Sequence, residues 1–209
     1  MRKTYGAKFY LTAAVALLTF LVYLPALRNE FVYWDDNLYI FENPFIRSLD
    51  ATFFRRAFLG FPASNWHPLT WISHAVDYAL WGMNPLGHHL TSIILHAINT
   101  ALVILLAVKL LETARERSTR KGASSFLNDR TVLIAAGVTG LLFGIHPVHV
   151  ESVAWVSERK DLLCALFFLL SIMAYTKYLV SGESGARGRE PEDGRGDDTG
   201  RRNFFFNRH

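Results

Sequence analysis

Residues 89–108 read HLTSIILHAINTALVILLAV, a run of 20 residues without a single Asp, Glu, Lys or Arg. An α-helix rises about 1.5 Å per residue, so a helix of this length covers about 30 Å, the thickness of the hydrocarbon core of a bilayer. Charged side chains are costly at that depth. Their absence from the whole run therefore predicts a transmembrane helix.

Three other parts of the chain repeat this pattern. Residues 9–27 and 131–150 carry no Asp, Glu, Lys or Arg, and a shorter run covers 162–176. The composition agrees, because 51% of the residues are hydrophobic and 14% are aromatic. The sequence therefore predicts an all-α membrane protein with about four transmembrane helices, at 9–27, 89–109, 131–146 and 162–180, the last with a helix that can begin near Ser152.

The basic residues indicate which side of the membrane each connection faces. Arg and Lys are concentrated in residues 1–8, in the connection 110–130 and in the tail 181–209, whose Gly-rich, charged composition predicts flexibility. Since Lys and Arg resist translocation, these segments are predicted to be cytoplasmic, and both termini with them. The same topology explains the formal net charge of +4 without a nucleic-acid partner.

The connections 28–88 and 147–161 then face outward. The first is about 60 residues long, which is too long for a passive connection, and its aromatic content predicts that it folds. Its segments 49–59 and 67–81 mix aromatic and polar residues in the manner of interfacial helices. The sequence thus predicts a long outer loop with helices on the membrane surface, and a short outer hinge at 147–161.

Asp35 and Asp36 lie a few residues beyond the first span, between aromatic residues. One of them could act as a general base toward an acceptor hydroxyl, or the two together could hold a divalent cation through oxygen ligands. Alternatively, they only cap a helix or face water. The residues themselves do not decide between these interpretations.

The hinge collects a second set of polar residues. His146 and His149 lack a clear third ligand, so no separate metal site is predicted there. Instead, Arg159 or Lys160 is predicted to bind a lipid-linked phosphate at the outer interface. The other residues assigned to substrate binding are His67, His88, His146, His149, Glu151 and Glu158. A simpler alternative is that the charges at 158–161 only terminate a span.

Three strings of sequence are specific enough to indicate a family. They are FVYWDDNLYIFENPFI at 31–46, NWHPLTWISHAVDYALWGMNPLGHHLTSIILHAINT at 65–100 and GIHPVHVESVAWVSERKDLL at 144–163. Over residues 9–180 the chain resembles the transmembrane and tetratricopeptide-repeat O-mannosyltransferases, including bacterial relatives. The resemblance implies a C-type glycosyltransferase fold, a polyprenyl-phosphate sugar donor, a protein acceptor and an acidic motif at Asp35 and Asp36.

The resemblance also implies a larger protein. Members of that family continue with more membrane spans and tetratricopeptide repeats, so the chain is expected to be an amino-terminal portion that is inactive alone. A bacterial cytoplasmic membrane is the expected location. A non-catalytic membrane scaffold is the alternative function, whereas a transporter is disfavoured because the first three apolar runs lack charged residues.

Overall fold

A computed structural model of the chain describes residues 2–120, 122 and 126–187, and within them every regular element is a helix. The helices are α1 (Arg2–Tyr23), α2 (Ala51–Leu59), α3 (Pro68–Trp81), α4 (Pro85–Arg120), α5 (Asp129–Gly144), α6 (Val150–Ala154) and α7 (Arg159–Arg187). The chain divides into two units, residues 1–173 and 174–209. In the second unit, residues 174–187 form the last part of α7, and the predicted flexible tail lies outside the described residues from position 188 onward.

The membrane spans confirm the predicted class. Three helical stretches are long and apolar enough to cross a bilayer: Tyr5–Arg28, Pro85–Arg120 and Val156–Leu179. A fourth candidate is the pair Asp129–Gly144 and Pro147–Ala154, which is bent by 44°. The protein is therefore an all-α integral membrane protein with three or four spans.

Local sequence signals explain where several helices begin. The side chain of Asp50 accepts a hydrogen bond from Phe53 N at 2.7 Å, and that of Asn128 accepts one from Thr131 N at 2.9 Å, which caps α2 and α5. Pro68 and Pro85 occupy the first positions of α3 and α4, where a missing N–H costs nothing. Gly82, at φ +60°, ends α3.

Helices α1, α4 and α5 pack into one bundle because α5 presents a row of glycines. Gly137 lies against Leu11, Gly140 against Ile104 and Val15, and Gly144 against Thr19 and Thr100. These glycines allow the backbone of α5 to approach its neighbours closely, as is common between helices in membranes. At the end of the bundle predicted to be cytoplasmic, Lys8 pairs with Glu112 and Arg115 with Asp129, each at 2.5 Å.

The long outer loop folds, as predicted. Its segments 49–59 and 67–81 contain α2 and α3. The two helices pack with the preceding turns around an apolar core of Tyr39, Ile40, Ile46, Phe53, Ala57, Trp71, Ala75 and Val156. This core gives the acidic motif, a few residues before Tyr39, a rigid support.

The observed helix bounds differ from the predicted spans at several places: α1 already begins at Arg2, and α7 continues to Arg187, so residues 181–187 of the predicted flexible tail are helical. Helix α4 continues to Arg120, so residues 110–120 of the predicted connection are helical. The last span does not begin near Ser152, because α6 ends at Ala154 and Trp155 is extended at φ −99° and ψ 117°. A 3₁₀ turn, Val156–Glu158, follows, and α7 begins at Arg159. This break frees Ser157 N for the contact described next.

Candidate functional site

The acidic motif separates into one buried and one accessible carboxylate. Asp36 has 0% exposure. Its Oδ1 accepts hydrogen bonds from Ser157 N at 3.0 Å and Ser157 Oγ at 2.5 Å, and its Oδ2 accepts one from Val32 N at 2.9 Å. Asp36 therefore fastens the outer loop to the turn before α7, and we call this contact the Asp36–Ser157 latch.

Asp35 is only partly buried, and its carboxylate takes part in no hydrogen bond or ion pair within the described residues. Its backbone carbonyl accepts from Tyr39 N at 2.9 Å, which begins the helical turn Asn37–Phe41. Of the two aspartates, Asp35 is thus the one with oxygens available to a substrate.

The difference in hydrogen bonding between Asp35 and Asp36 also affects how this pair could hold a divalent cation. Both oxygens of Asp36 already accept hydrogen bonds, so only Asp35 could offer a free carboxylate oxygen. Within the described part of the chain, no three His, Cys, Asp or Glu side chains converge on a point that suits a metal ion. A divalent cation at the two aspartates stays a prediction.

Arg159 lies in a buried network and is not available to a lipid phosphate. Its side chain is 0% exposed and donates from Nη1 to Asp77 Oδ2 and from Nη2 to His88 O at 2.6 Å. Asp77 accepts a further hydrogen bond from Thr91 Oγ1 at 2.7 Å. These contacts join α3, α4 and α7. Because Arg159 is buried in them, the phosphate-binding role predicted for either Arg159 or Lys160 is open only to Lys160.

Lys160 lies at the rim of an apolar groove. Its side chain is 36% exposed, with Nζ 2.7 Å from Glu158 Oε1 and 5.9 Å from the centre of the Tyr39 ring. The groove, which we call the α3–α7 groove, has a volume of about 430 Å³. Its lining is formed by Phe58, Trp66, His67, Pro68, Leu69, Thr70, Lys160, Leu163, Cys164 and Phe167.

His67 belongs to this groove. Its ring packs against both Tyr39 and Trp71, with ring centres 5.5 and 4.9 Å away. Partial burial, aided by the positive charge of Lys160, lowers the pKa of His67 below its ordinary value. His67 therefore lines the groove beside the positive charge of Lys160.

The other histidines predicted to bind substrate are placed differently. His88 is fully buried, with Nε2 3.0 Å from Gly82 O and Nδ1 3.6 Å from Asp77 Oδ2. His146 caps the turn Pro147–His149, since its Nδ1 accepts from Val148 N at 3.2 Å. The ring of His149 packs against those of Phe143 and His96, at 4.6 and 5.3 Å. The substrate-binding roles of these three histidines stay predictions.

Glu151 lies at a different groove from Lys160. With Val32, Trp34 and Trp155 it lines an open space of about 380 Å³, which we call the Trp34 groove. The predicted residues thus fall into two places, Lys160 and His67 at the α3–α7 groove and Glu151 at the Trp34 groove. Trp34 directly precedes Asp35 in the chain, which places this second groove beside the accessible carboxylate.

Sequence reasoning missed three residues that organise the site. Ser157 holds Asp36, Asp77 neutralises Arg159, and Tyr39 lies next to both Lys160 and His67. Tyr39 alone stands close to the acidic motif in the sequence. Ser157 and Asp77 lie 121 and 41 positions from Asp36, and no local pattern connects them.

The chain was compared with known proteins. It is 32% identical over 182 residues to protein O-mannosyl-transferase Tmtc1 of Drosophila melanogaster, which covers 83% of this chain and 19% of that relative. It is 41% identical over 125 residues to protein O-mannosyl-transferase TMTC4 of Homo sapiens, covering 58% of this chain and 16% of the relative. The Mus musculus TMTC4 is 40% identical over 112 residues, covering 53% and 14%.

The chain therefore spans about a fifth or less of the length of these relatives. No family model matches it, and no solved structure matches it significantly. These relatives come from animals, and the bacterial location stays a prediction. The identity over most of the chain, together with the membrane helices and the acidic outer loop, leads to one conclusion: this chain belongs to the TMTC family of protein O-mannosyl-transferases.

Proposed function

We propose that this chain is the part of a protein mannosyltransferase that activates the acceptor hydroxyl and holds the phosphate of a polyprenyl-phosphate mannose donor. The observation that carries the proposal is the unequal pair of aspartates, of which Asp36 is held in the latch and Asp35 is accessible. An accessible carboxylate on a rigid support is suited to take a proton from a hydroxyl.

The proposed transfer step assigns one role to Asp35 and one to Lys160. Asp35 accepts the proton of an acceptor Ser or Thr hydroxyl as the hydroxyl oxygen attacks the anomeric carbon of the mannose. The bond from that carbon to the phosphate oxygen breaks, and the electron pair leaves with polyprenyl phosphate. The ammonium group of Lys160 stabilises the charge on the departing phosphate.

The α3–α7 groove suits the lipid part of the donor. Its lining is mainly apolar, and four of its residues, Lys160, Leu163, Cys164 and Phe167, lie on α7, within the stretch Val156–Leu179 that can cross a bilayer. A polyprenyl chain can lie along these residues from within the membrane, with its phosphate at Lys160. The phosphate would replace Glu158, now 2.7 Å from Nζ, as the partner of Lys160.

Substitution of each aspartate tests the division of roles in the full-length protein that carries this chain. Asp35→Asn is expected to lower the rate of mannosyl transfer about 10²-fold or more with no change in thermal stability, because it removes only the proton acceptor.

Asp36→Asn is expected to lower stability by about 2 kcal/mol, because charge-assisted hydrogen bonds in a buried site weaken. Equal rates for Asp35→Asn and wild type would contradict the proposal and favour a scaffold.

The donor site has its own test. Lys160→Gln is expected to raise the KM for the polyprenyl-phosphate donor about tenfold, since one ion pair to phosphate is lost. Lys109→Gln is the matched control, because Lys109 lies in α4, outside the α3–α7 groove. The 209 residues alone are expected to give no transfer, since they span 19% of the Drosophila relative.

A further inference from the structure

The Trp34 groove has no part in the steps described so far, yet its lining has a definite chemical character. Two of its four residues are tryptophans, and a third, Glu151, is a carboxylate. The side chain of Trp34 is 72% exposed. Indole rings attract cations through their faces, and a carboxylate attracts them by charge, so this combination is suited to a cationic group.

Glu151 is free to bind such a group. Its side chain is exposed and takes part in no ion pair or hydrogen bond in the part of the chain that the structure describes. By contrast, Glu158 pairs with Lys160, and Asp77 with Arg159. Glu151 therefore presents an uncompensated negative charge next to two aromatic rings.

The Asp36–Ser157 latch fixes the positions of the two walls of the Trp34 groove relative to each other. Val32 and Trp34 belong to the outer loop, and Val32 N donates to Asp36. Trp155 directly follows α6, two positions before Ser157, whose N and Oγ donate to the same carboxylate. A turn, with Trp34 N donating to Val32 O at 2.8 Å, fixes the loop further. The groove is thus preorganised, which lowers the entropy cost of binding.

Its position favours a polypeptide over a lipid as the source of the cation. Trp34 is the neighbour of Asp35, and neighbouring Cα atoms are about 3.8 Å apart. An extended peptide advances about 3.3 Å per residue. A peptide with its hydroxyl at Asp35 would therefore place a side chain one to three residues away at the Trp34 groove.

We propose that the Trp34 groove binds a Lys or Arg side chain of the acceptor polypeptide, one to three residues from the Ser or Thr that receives the sugar. The inference rests on the proposed function, because it takes Asp35 as the base. It adds a sequence preference for the acceptor, which is a basic residue close to the hydroxyl.

A peptide-binding measurement tests this preference for a basic residue and does not require sugar transfer. The 209-residue chain is purified in a nonionic polyoxyethylene detergent and titrated into fluorescently labelled peptides with Ser followed by Lys, norleucine or Glu. Fluorescence anisotropy is expected to show about fivefold tighter binding of the Lys peptide than of the norleucine peptide. Glu151→Lys is expected to remove this preference and to favour the Glu peptide instead.

Matched variants show whether the peptide preference comes from the Trp34 groove or from the overall charge and exposed aromatic residues of the protein. Glu42→Lys makes the same charge change on the outer loop outside the groove and is expected to keep the Lys preference. Trp34→Ala is expected to weaken binding of the Lys peptide about threefold. Tyr33→Ala is its control, because Tyr33 is 76% exposed and does not line the groove.

Two results would overturn the inference. One is an equal loss of preference in Glu42→Lys and Glu151→Lys. The other is the absence of any peptide preference together with binding of short-chain phosphatidylcholine that depends on Glu151 and Trp34, which would make the groove a site for lipid headgroups. Transfer that survives Asp35→Asn would contradict the proposed function, whereas the peptide titration concerns the groove alone.

Discussion

Single residues in this protein take roles that depend on what surrounds them. Asp35 and Asp36 are chemically identical neighbours, but one has free oxygens and the other is fully hydrogen-bonded to Val32 and Ser157. Arg159 and Lys160 are likewise adjacent cations, of which only Lys160 reaches a groove. In both pairs, one charge is buried in a hydrogen-bonded contact and its neighbour stays partly exposed.

The Arg159–Asp77 ion pair gives a prediction at this scale. Arg159→Met leaves Asp77 as an unpaired buried charge and is expected to lower the free energy of unfolding by about 3–5 kcal/mol. Adding Asp77→Asn removes that charge and is expected to recover roughly half of the loss. Denaturant titration in detergent measures both.

Arg55→Met is the control for this ion pair. Arg55 is exposed on α2, and its removal is expected to change the free energy of unfolding by about 0.5 kcal/mol or less. If Arg159→Met cost no more than Arg55→Met, the buried pair would have no part in holding α3, α4 and α7 together.

At the scale of elements, α5 depends on close backbone approach. A Cβ at Gly140 would overlap the side chain of Ile104 on α4, so Gly140→Val is expected to lower the thermal midpoint by an amount equivalent to about 1–3 kcal/mol. Gly6→Ala on α1 is the control, because its Cβ would lie 3.8 Å from Tyr10, an ordinary contact. Similar midpoints for the two variants would contradict this packing.

Helix α3 carries a pH-sensitive residue in the folded outer loop. His74 is fully buried, and neither ring nitrogen has a hydrogen-bond partner within the described residues. Burial, aided by the charge of Arg159, lowers the pKa of His74 well below its ordinary value. As the pH falls below about 6.5, His74 takes up a proton in the unfolded chain but not in the folded protein. The stability of the folded protein therefore decreases as the pH decreases.

Substitution of His74 tests whether this residue makes the protein less stable at low pH. Between pH 7.5 and 5.5, this group is expected to remove about 1 kcal/mol of stability, and His74→Leu is expected to abolish that part of the loss. Val76→Leu, on the same helix, is expected to keep the wild-type dependence. Thermal midpoints at the two pH values provide the measurement, and an unchanged slope in His74→Leu would show that His74 does not titrate on unfolding.

For the whole molecule, the distribution of Arg and Lys predicts the orientation. In a Cys164→Ser background, a cysteine at Glu42 is expected to react with a membrane-impermeant maleimide in intact cells or right-side-out vesicles. A cysteine at Glu116, near the end of α4, is expected to react only after permeabilisation. Labelling in the opposite order would invert the topology and place the outer loop on the cytoplasmic side.

Sequence alone was sufficient for the features that depend on neighbouring residues. Uninterrupted apolar runs identified the membrane helices, since the thickness of the bilayer sets their length. The string around Asp35 indicated the family in the same local way. The predicted folding of the outer loop was correct, because some of its aromatic residues, among them Tyr39, Phe53 and Trp71, are buried in one apolar core.

Only the tertiary structure decided which of these residues remain available. The latch joins positions 121 apart, and the Arg159–Asp77 pair joins positions 82 apart. Hydrogen bonding and burial of this kind depend on how the outer loop packs against the start of α7, which no local pattern encodes. The sequence by itself therefore determined a helical membrane protein with a folded, acidic loop after its first span, and packing alone decided that Asp35 and Lys160 stay partly exposed while Asp36 and Arg159 are buried.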